Sequence, residues 1–240
     1  MQASNETAKQ IRDNWLLVQD EVNDACGRCG RDSSEVKIVG VSKYVDPPFA
    51  AQLVQAGCDV LGENRPQHLW AAAEHFKAEN IQARWHMIGH LQRNKIRRTL
   101  PLLEYLHSLD SPRLASALHE ELDARDGQLR VLVEVNVTED TEKTGLAANQ
   151  LHEFLESLTQ LPRLKVCGLM AMTTLGASTD QAAREFNSVR ELRDKAQDQF
   201  GTTFDLSELS MGMSGDFPQA IAAGATLVRI GTRLWHGCRS

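Results

Sequence analysis

With 240 residues, 42% of them hydrophobic, and only 7 Pro and 16 Gly, the chain has the length and composition of one ordinary globular domain, neither disordered nor fibrous. Its formal charge of −6, from 32 acidic against 26 basic residues, argues against a general nucleic-acid or acidic-membrane binder, so any anion site must be local. The opening MQASNETAKQIRDNW holds no apolar signal core, no apolar run reaches membrane-span length, and five cysteines at irregular spacing suit a reducing compartment, so the expected location is cytoplasmic.

In chain order, Ile11, Trp15, Leu16, Val18 and Val22 recur at helical spacing among charges and predict an amphipathic helix over about 6–25, ended by Cys-Gly-Arg-Cys-Gly. Cys26 and Cys29 form a C-x-x-C with no second Cys or His pair at zinc spacing and no preceding strand, and read as ordinary thiols. VKIVGVS (36–42) is a β-branched run followed by Asp-Pro-Pro, hence a buried strand with a helix starting near Pro48. CDVLG (58–62) leads to a helix at 66–78, and RWHMIG (84–89) to a short basic helix near 93–100. EYLHSLD (104–110) leads to a helix at 112–125 with Ser111 as its N-cap, and RVLVEVNV (130–137) to one at 147–159. KVCGLMAM (165–172), DLSELSMG (205–212) and TLVRIGT (226–232) complete the strands, with helices at 179–199 and 216–223 between them. Near-continuous apolar strands alternating with helices imply a parallel sheet covered on its outer face. Eight such units in this length predict a single α/β domain over 1–240, a (β/α)8 TIM barrel with an extra N-terminal helix; an open doubly wound sheet is the alternative.

In a barrel the active face lies at the C-terminal ends of the strands. Lys43 directly follows VGVS, at the top of the first strand. A lone lysine there is ordinarily a solvated surface charge. Burial at such a mouth disfavours an ammonium and favours the neutral amine that attacks an aldehyde, a role arginine cannot fill. SMGMSG (210–215) and RIGT (229–232) close the seventh and eighth strands, where many barrels bind phosphate. Gly212, Gly215 and Gly231 permit close backbone approach, and Ser214 and Thr232 add hydroxyl donors. Each segment alone could equally be an ordinary turn; together they point to phosphate. His86 and His90 span a strand end rather than one helix face and read as core or rim histidines. Arg93, Lys95, Arg97 and Arg98 read as a solvated helix face.

The segments VGVSKYVD, GENRPQHLW, WHMIGHLQRNK, VEVNVTEDTEKTGL, GLMAM and LSMGMSGDFPQAIAAGATLVRIGT, in order from Val36 to Gly237, resemble the pyridoxal phosphate homeostasis protein family. The resemblance implies a barrel like the N-terminal domain of alanine racemase, without that enzyme's second, β-rich domain. It implies pyridoxal 5'-phosphate (PLP) as cofactor, held as a Schiff base on Lys43, with Ser214, Gly231 and Thr232 at the phosphate, Arg229 facing the pyridine nitrogen and Asn64 beside the ring. Lys95 and Lys143 match family lysines near the site. Tyr44, Arg65 and His90 depart from the family pattern, standing where threonine, tyrosine and proline are usual, as does the closing WHGCRS.

Arginine only donates hydrogen bonds, so Arg229 would keep the ring nitrogen unprotonated and weaken the ring as an electron sink. Racemases of this fold offset that with a second base, a tyrosine from the other domain, which this chain does not contain; its tyrosines are Tyr44 and Tyr105. The expected function is therefore intracellular vitamin B6 homeostasis, buffering or supplying PLP without robust catalysis. The alternatives are a PLP-dependent amino-acid racemase or related enzyme, and a phosphate-binding barrel enzyme without PLP. Expected partners are PLP, other B6 vitamers or amino acids, and apo PLP enzymes, with no nucleic acid, no membrane and no metal; the expected state is a monomer or weak dimer.

Overall fold

The computed structural model describes residues 2–138, 140 and 144–238. Helix α1 (Gln2–Arg28) comes first and is longer at both ends than periodicity indicated. It runs through Gly27 and stops before Gly30, whose φ of +70° continues no helix. The barrel strands are β1 (Lys37–Val41), β2 (Val60–Glu63), β3 (Arg84–Met87), β4 (Leu103–Leu109), β5 (Leu129–Asn136), β7 (Leu164–Met170), β8 (Glu208–Met213) and β9 (Leu227–Ile230). Each pairs in parallel with its neighbour in the order β4-β3-β2-β1-β9-β8-β7-β5, and a β4–β5 pairing closes the ring. The (β/α)8 barrel is thus the architecture, and the open sheet is ruled out by that closure.

The crossovers carry α2 (Pro47–Gln55), α3 (Pro66–Ala78), α4 (Ile96–Thr99), α5 (Pro112–Asp123), α6 (Leu151–Leu158), α7 (Thr179–Phe200) and α8 (Phe217–Ala222). Proline stands in the first turn of α2, α3, α5 and α8, where its missing N–H costs nothing. Ser111 takes the N-cap position of α5 with extended backbone, but its side chain makes no capping bond. The basic helix expected near 93–100 is broken into 3-10, α and 3-10 turns, with Pro101 in the last of them. The helix expected from 147 begins at Leu151, because Leu146–Ala147 form a short strand, β6, alongside the end of β5.

Two apolar layers result. The larger lies between strands and helices; the smaller fills the barrel interior with Val39, Val60, Tyr105, Leu132, Met170 and Leu227. Helix α1 buries Ile11, Val18 and Val22 against α2 and α8. Each such fully buried side chain contributes about 1.5–3 kcal/mol, which explains why a helix outside the eightfold repeat stays docked. Asn14 locks it further, donating from Nδ2 to the carbonyls of Leu234 (3.0 Å) and His236 (2.8 Å).

Candidate functional site

The strand order makes neighbours of residues far apart in sequence. Val41 pairs with Gly62 across β1–β2, Val39 and Gly40 with Arg229 and Ile230 across β1–β9, and Met213 with Arg229 across β8–β9. Lys43, Asn64, the Gly231–Thr232 turn and Ser214 follow the ends of these adjacent strands, β1, β2, β9 and β8. The expected rim residues therefore share one arc of the mouth, β2-β1-β9-β8. Gly231 donates its N–H to Ser214 Oγ at 3.1 Å, a direct bond between two of them. Lys43, Asn64, Ser214 and Gly231 are half-buried and Thr232 is exposed.

Local chemistry fixes this arc. Gly212 has φ +89°, and a Cβ there would lie 2.5 Å from Ala220 Cβ, so only glycine lets α8 close on β8. Asp216 accepts from the Met213 N–H at 2.6 Å and from the Thr173 hydroxyl at 2.7 Å, pinning the turn that carries Ser214. The Trp235 indole donates to the Val41 carbonyl at 2.7 Å, tying the segment after β9 to β1. Asn64 is held against Gly89, where a Cβ would stand 2.4 Å from the Asn64 carbonyl oxygen.

The Lys43 amine rests 4.7 Å from the centroid of the Tyr44 ring, at a cleft of about 340 Å³ that Glu63 and His68 also line. Glu63 is buried, accepts the Ser42 hydroxyl at 2.6 Å through Oε1, and leaves Oε2 without a hydrogen-bond partner. Burial raises its carboxyl above the ordinary range, against the lowering effect of the Ser42 bond. A buried carboxyl of this kind beside a lysine can accept or return the proton an amine sheds on forming an imine.

Arg229 points into the barrel one layer below the rim and is 4% exposed. Its Nη1 donates to Ser210 O and Oγ, both at 2.7 Å, and its Nη2 to Ala171 O at 2.9 Å. Burial draws its pKa down to about 10, partly offset by Glu134 and Asp216, so the group stays charged at neutral pH. Glu134 accepts the Thr144 hydroxyl at 2.6 Å, and burial raises its carboxyl. Below Arg229 the interior holds His107, whose Nδ1 is 2.9 Å from Ser210 Oγ, and His86, whose Nδ1 is 3.0 Å from His107 Nε2.

Glu63, in GEN, and Ser210, in SMGMSG, stand in strand-end segments the sequence already singled out, though without a role of their own; His107 and Glu134 were missed. The signal was present as polar residues breaking the apolar strand runs, with Glu134, His107, Ser210 and Arg229 all turned inward beneath the mouth. His86 is a core histidine and His90 a rim one, 3.8 Å from Asp110. Tyr44, Arg65 and His90 are exposed just past β1, β2 and β3, so the departures from the family pattern ring the mouth without entering the interior. Lys95 lies away from the arc, its amine 5.6 Å from the Trp70 ring centroid, and Arg98 stacks on the same ring at 4.1 Å while pairing with Glu74. Lys143 lies outside the described residues. Among those residues the cysteines are free, no cluster suits a metal ion, and no helix is long and apolar enough to cross a membrane.

The arc offers a set suited to a phosphorylated aromatic aldehyde: an amine on β1, a turn with hydroxyl and backbone donors on β8 and β9, and a guanidinium between them with N–H groups still to give. Comparison with known proteins agrees. The family model for the alanine racemase N-terminal domain matches residues 28–237. The pyridoxal phosphate homeostasis protein of Aquifex aeolicus (strain VF5) is 37% identical over 218 residues, covering 91% of this chain and 94% of that one. The crystal structure of an unknown protein from Bifidobacterium adolescentis superposes with a TM-score of 0.88 at 30% identity, covering 95% of this chain and 96% of that one. PipY of Synechococcus elongatus PCC7942, solved with PLP bound, superposes with a TM-score of 0.78 at 32% identity, covering 83% and 92%.

Proposed function

The chain belongs to the pyridoxal phosphate homeostasis protein family, on the barrel of the alanine racemase N-terminal domain, and from that premise we propose that it binds PLP on Lys43 and buffers or supplies the cofactor in the cytoplasm. The observation that supports this reading is the shared arc, in which β1 and β9 pair side by side, so that Lys43 and the Gly231–Thr232 turn follow the ends of adjacent strands, with Ser214 bonded to Gly231. When bound, PLP supplies an aldehyde that amines capture and, in enzymes, an electron sink. Lys43 provides the amine, and Glu63 receives its proton. Ser214 and Thr232 would hold the phosphate, with the Gly231 N–H orienting the Ser214 hydroxyl, while Arg229 would donate to the ring nitrogen and Asn64 would flank the ring. Because a buried, charged guanidinium has no proton to lose at neutral pH, the ring nitrogen facing it stays unprotonated. That weakens the sink and favours holding over turnover. The partners proposed are PLP and other B6 vitamers or amino acids, with apo PLP enzymes as recipients; the proposed state is a monomer or weak dimer. The racemase reading retains one supporting observation, the Tyr44 ring beside Lys43.

The test is optical. Incubated with PLP, the protein should turn yellow, and borohydride should bleach the band while fixing the cofactor to the peptide containing Lys43. Lys43→Ala should give no such band. A protein that stays colourless in excess PLP would end the reading in favour of a phosphate-binding barrel enzyme without PLP.

A further inference from the structure

We propose that Ser210, His107 and His86 are positioning residues for Arg229, forming a one-way hydrogen-bond column that runs from the guanidinium beneath the mouth to His86, which faces Glu104 at the opposite end of the barrel, and that fixes how Arg229 faces its ligand. The column is buried: Ser210 and His107 are 0% exposed, His86 1% and Arg229 4%. Its direction follows from counting donors and acceptors. A guanidinium accepts nothing, so Arg229 Nη1 must donate to Ser210 Oγ. The one acceptor bonded to that hydroxyl among the described residues is His107 Nδ1, so Ser210 donates its proton there. An imidazole accepting at Nδ1 is neutral and carries its hydrogen on Nε2, which His107 gives to His86 Nδ1. His86 in turn carries its hydrogen on Nε2, facing Glu104 Oε2 at an ion-pair distance of 3.8 Å, and among the described residues neither of those two buried atoms has a hydrogen-bond partner.

The reverse direction fails at both ends. It would leave the Ser210 proton without an acceptor and aim the His86 Nε2 lone pair at a carboxylate. Glu104 lies at the start of β4 and is partly exposed, near Arg84 and Arg130 on the starts of β3 and β5, so the column terminates in a solvated ion cluster. Burial drives both imidazoles toward the neutral form, strongly for His107, where His86 and Arg229 add to the effect; for His86, Glu104 opposes it. With Nη1 committed to Ser210 and Nη2 to Ala171, the guanidinium plane is set and the Nε edge is left for the ligand. The part of this inference that concerns the cofactor rests on Arg229 facing the ring nitrogen.

The experiment is long-range 1H–15N correlation NMR of the full chain labelled at histidine, recorded before and after addition of PLP. Two rings should stay neutral across the range where the other histidines titrate, both with hydrogen on Nε2 and an accepting Nδ1. Hydrogen on Nδ1 of either ring, or an imidazolium in this pair, would overturn the column whether or not PLP binds. For the cofactor arm, Ser210→Ala should weaken PLP retention about ten-fold and move the visible band, since it removes a hydrogen bond to a charged group. Ser210→Thr keeps the oxygen and should restore both. Equal loss in both variants would assign the effect to packing, and no loss in Ser210→Ala would show that Arg229 needs no such support; either result overturns the positioning role. If wild type binds no PLP, the tautomers still decide the column, so its failure and the failure of the cofactor reading are separate results.

Discussion

Ser214 already accepts the Gly231 N–H, which leaves its own proton to give to a phosphate oxygen. A hydrogen bond to a charged group contributes about 1.5–3 kcal/mol, so Ser214→Ala should weaken PLP retention about ten- to a hundred-fold in equilibrium dialysis. Thr232→Val, at an exposed position, should weaken it in the same direction with little effect on folding. Wild-type retention in both variants would mean the phosphate lies elsewhere on the mouth. At this scale the placement of Lys43, Asn64, Ser214, Gly231 and Thr232 at one end of the barrel was legible because each stands at the end of an apolar run. The contact of His107 with Ser210 was not, because they meet across 103 positions of chain and only closure of the barrel sets them ring to hydroxyl. Local pattern put Glu63 at a strand end but could not reveal its buried oxygen, which has no hydrogen-bond partner among the described residues.

Among the elements, the pairing of β7 with β8 depends on one missing side chain. Gly168 lies opposite Glu208 with φ +150°, and a Cβ there would sit 1.8 Å from the Glu208 carbonyl oxygen. Backbone cannot yield as a flexible side chain can, so Gly168→Ala should destabilise the protein by at least about 3 kcal/mol. The denaturant midpoint measures it, and a midpoint near wild type would count against this packing of β7 on β8. Most strands and helices were readable because a parallel sheet covered on one side writes apolar runs and helical stripes into the sequence. The failures came where tertiary contacts overrode the pattern. Leu146 and Ala147 have helical neighbours, yet they pair with Val135 and Asn136, and the chain turns at Gly145 to let them do so. The stretch near 93–100 keeps only α4 as α-helix, between two 3-10 turns of which the second holds Pro101.

For the whole molecule the question is whether bound cofactor turns over. On the proposed reading Arg229 would stand opposite the ring nitrogen and weaken carbanion chemistry, and the described mouth brings no second tyrosine to it, since Tyr105 lies in the lower interior layer. Incubated in deuterated water with L-alanine, the PLP-loaded protein should leave the α-proton essentially unexchanged, as read by NMR. Mixed with an apo PLP enzyme, it should restore activity, with a scavenger of free PLP separating directed transfer from simple release. Rapid exchange that vanishes in Lys43→Ala would make the protein an enzyme.

The arc that gathers these residues joins the first two barrel strands to the last two, and the Trp235 and Asn14 bonds fasten that seam. A polypeptide still emerging from the ribosome therefore has its lysine long before it has a place to put a phosphate. On the proposed reading unfinished copies would lack the phosphate turn that retains the cofactor, and firm capture would begin only as synthesis nears its end. A protease that clips the segment after β9 would reverse this, cutting the Trp235 and Asn14 ties and releasing the cargo while most of the barrel core is still intact.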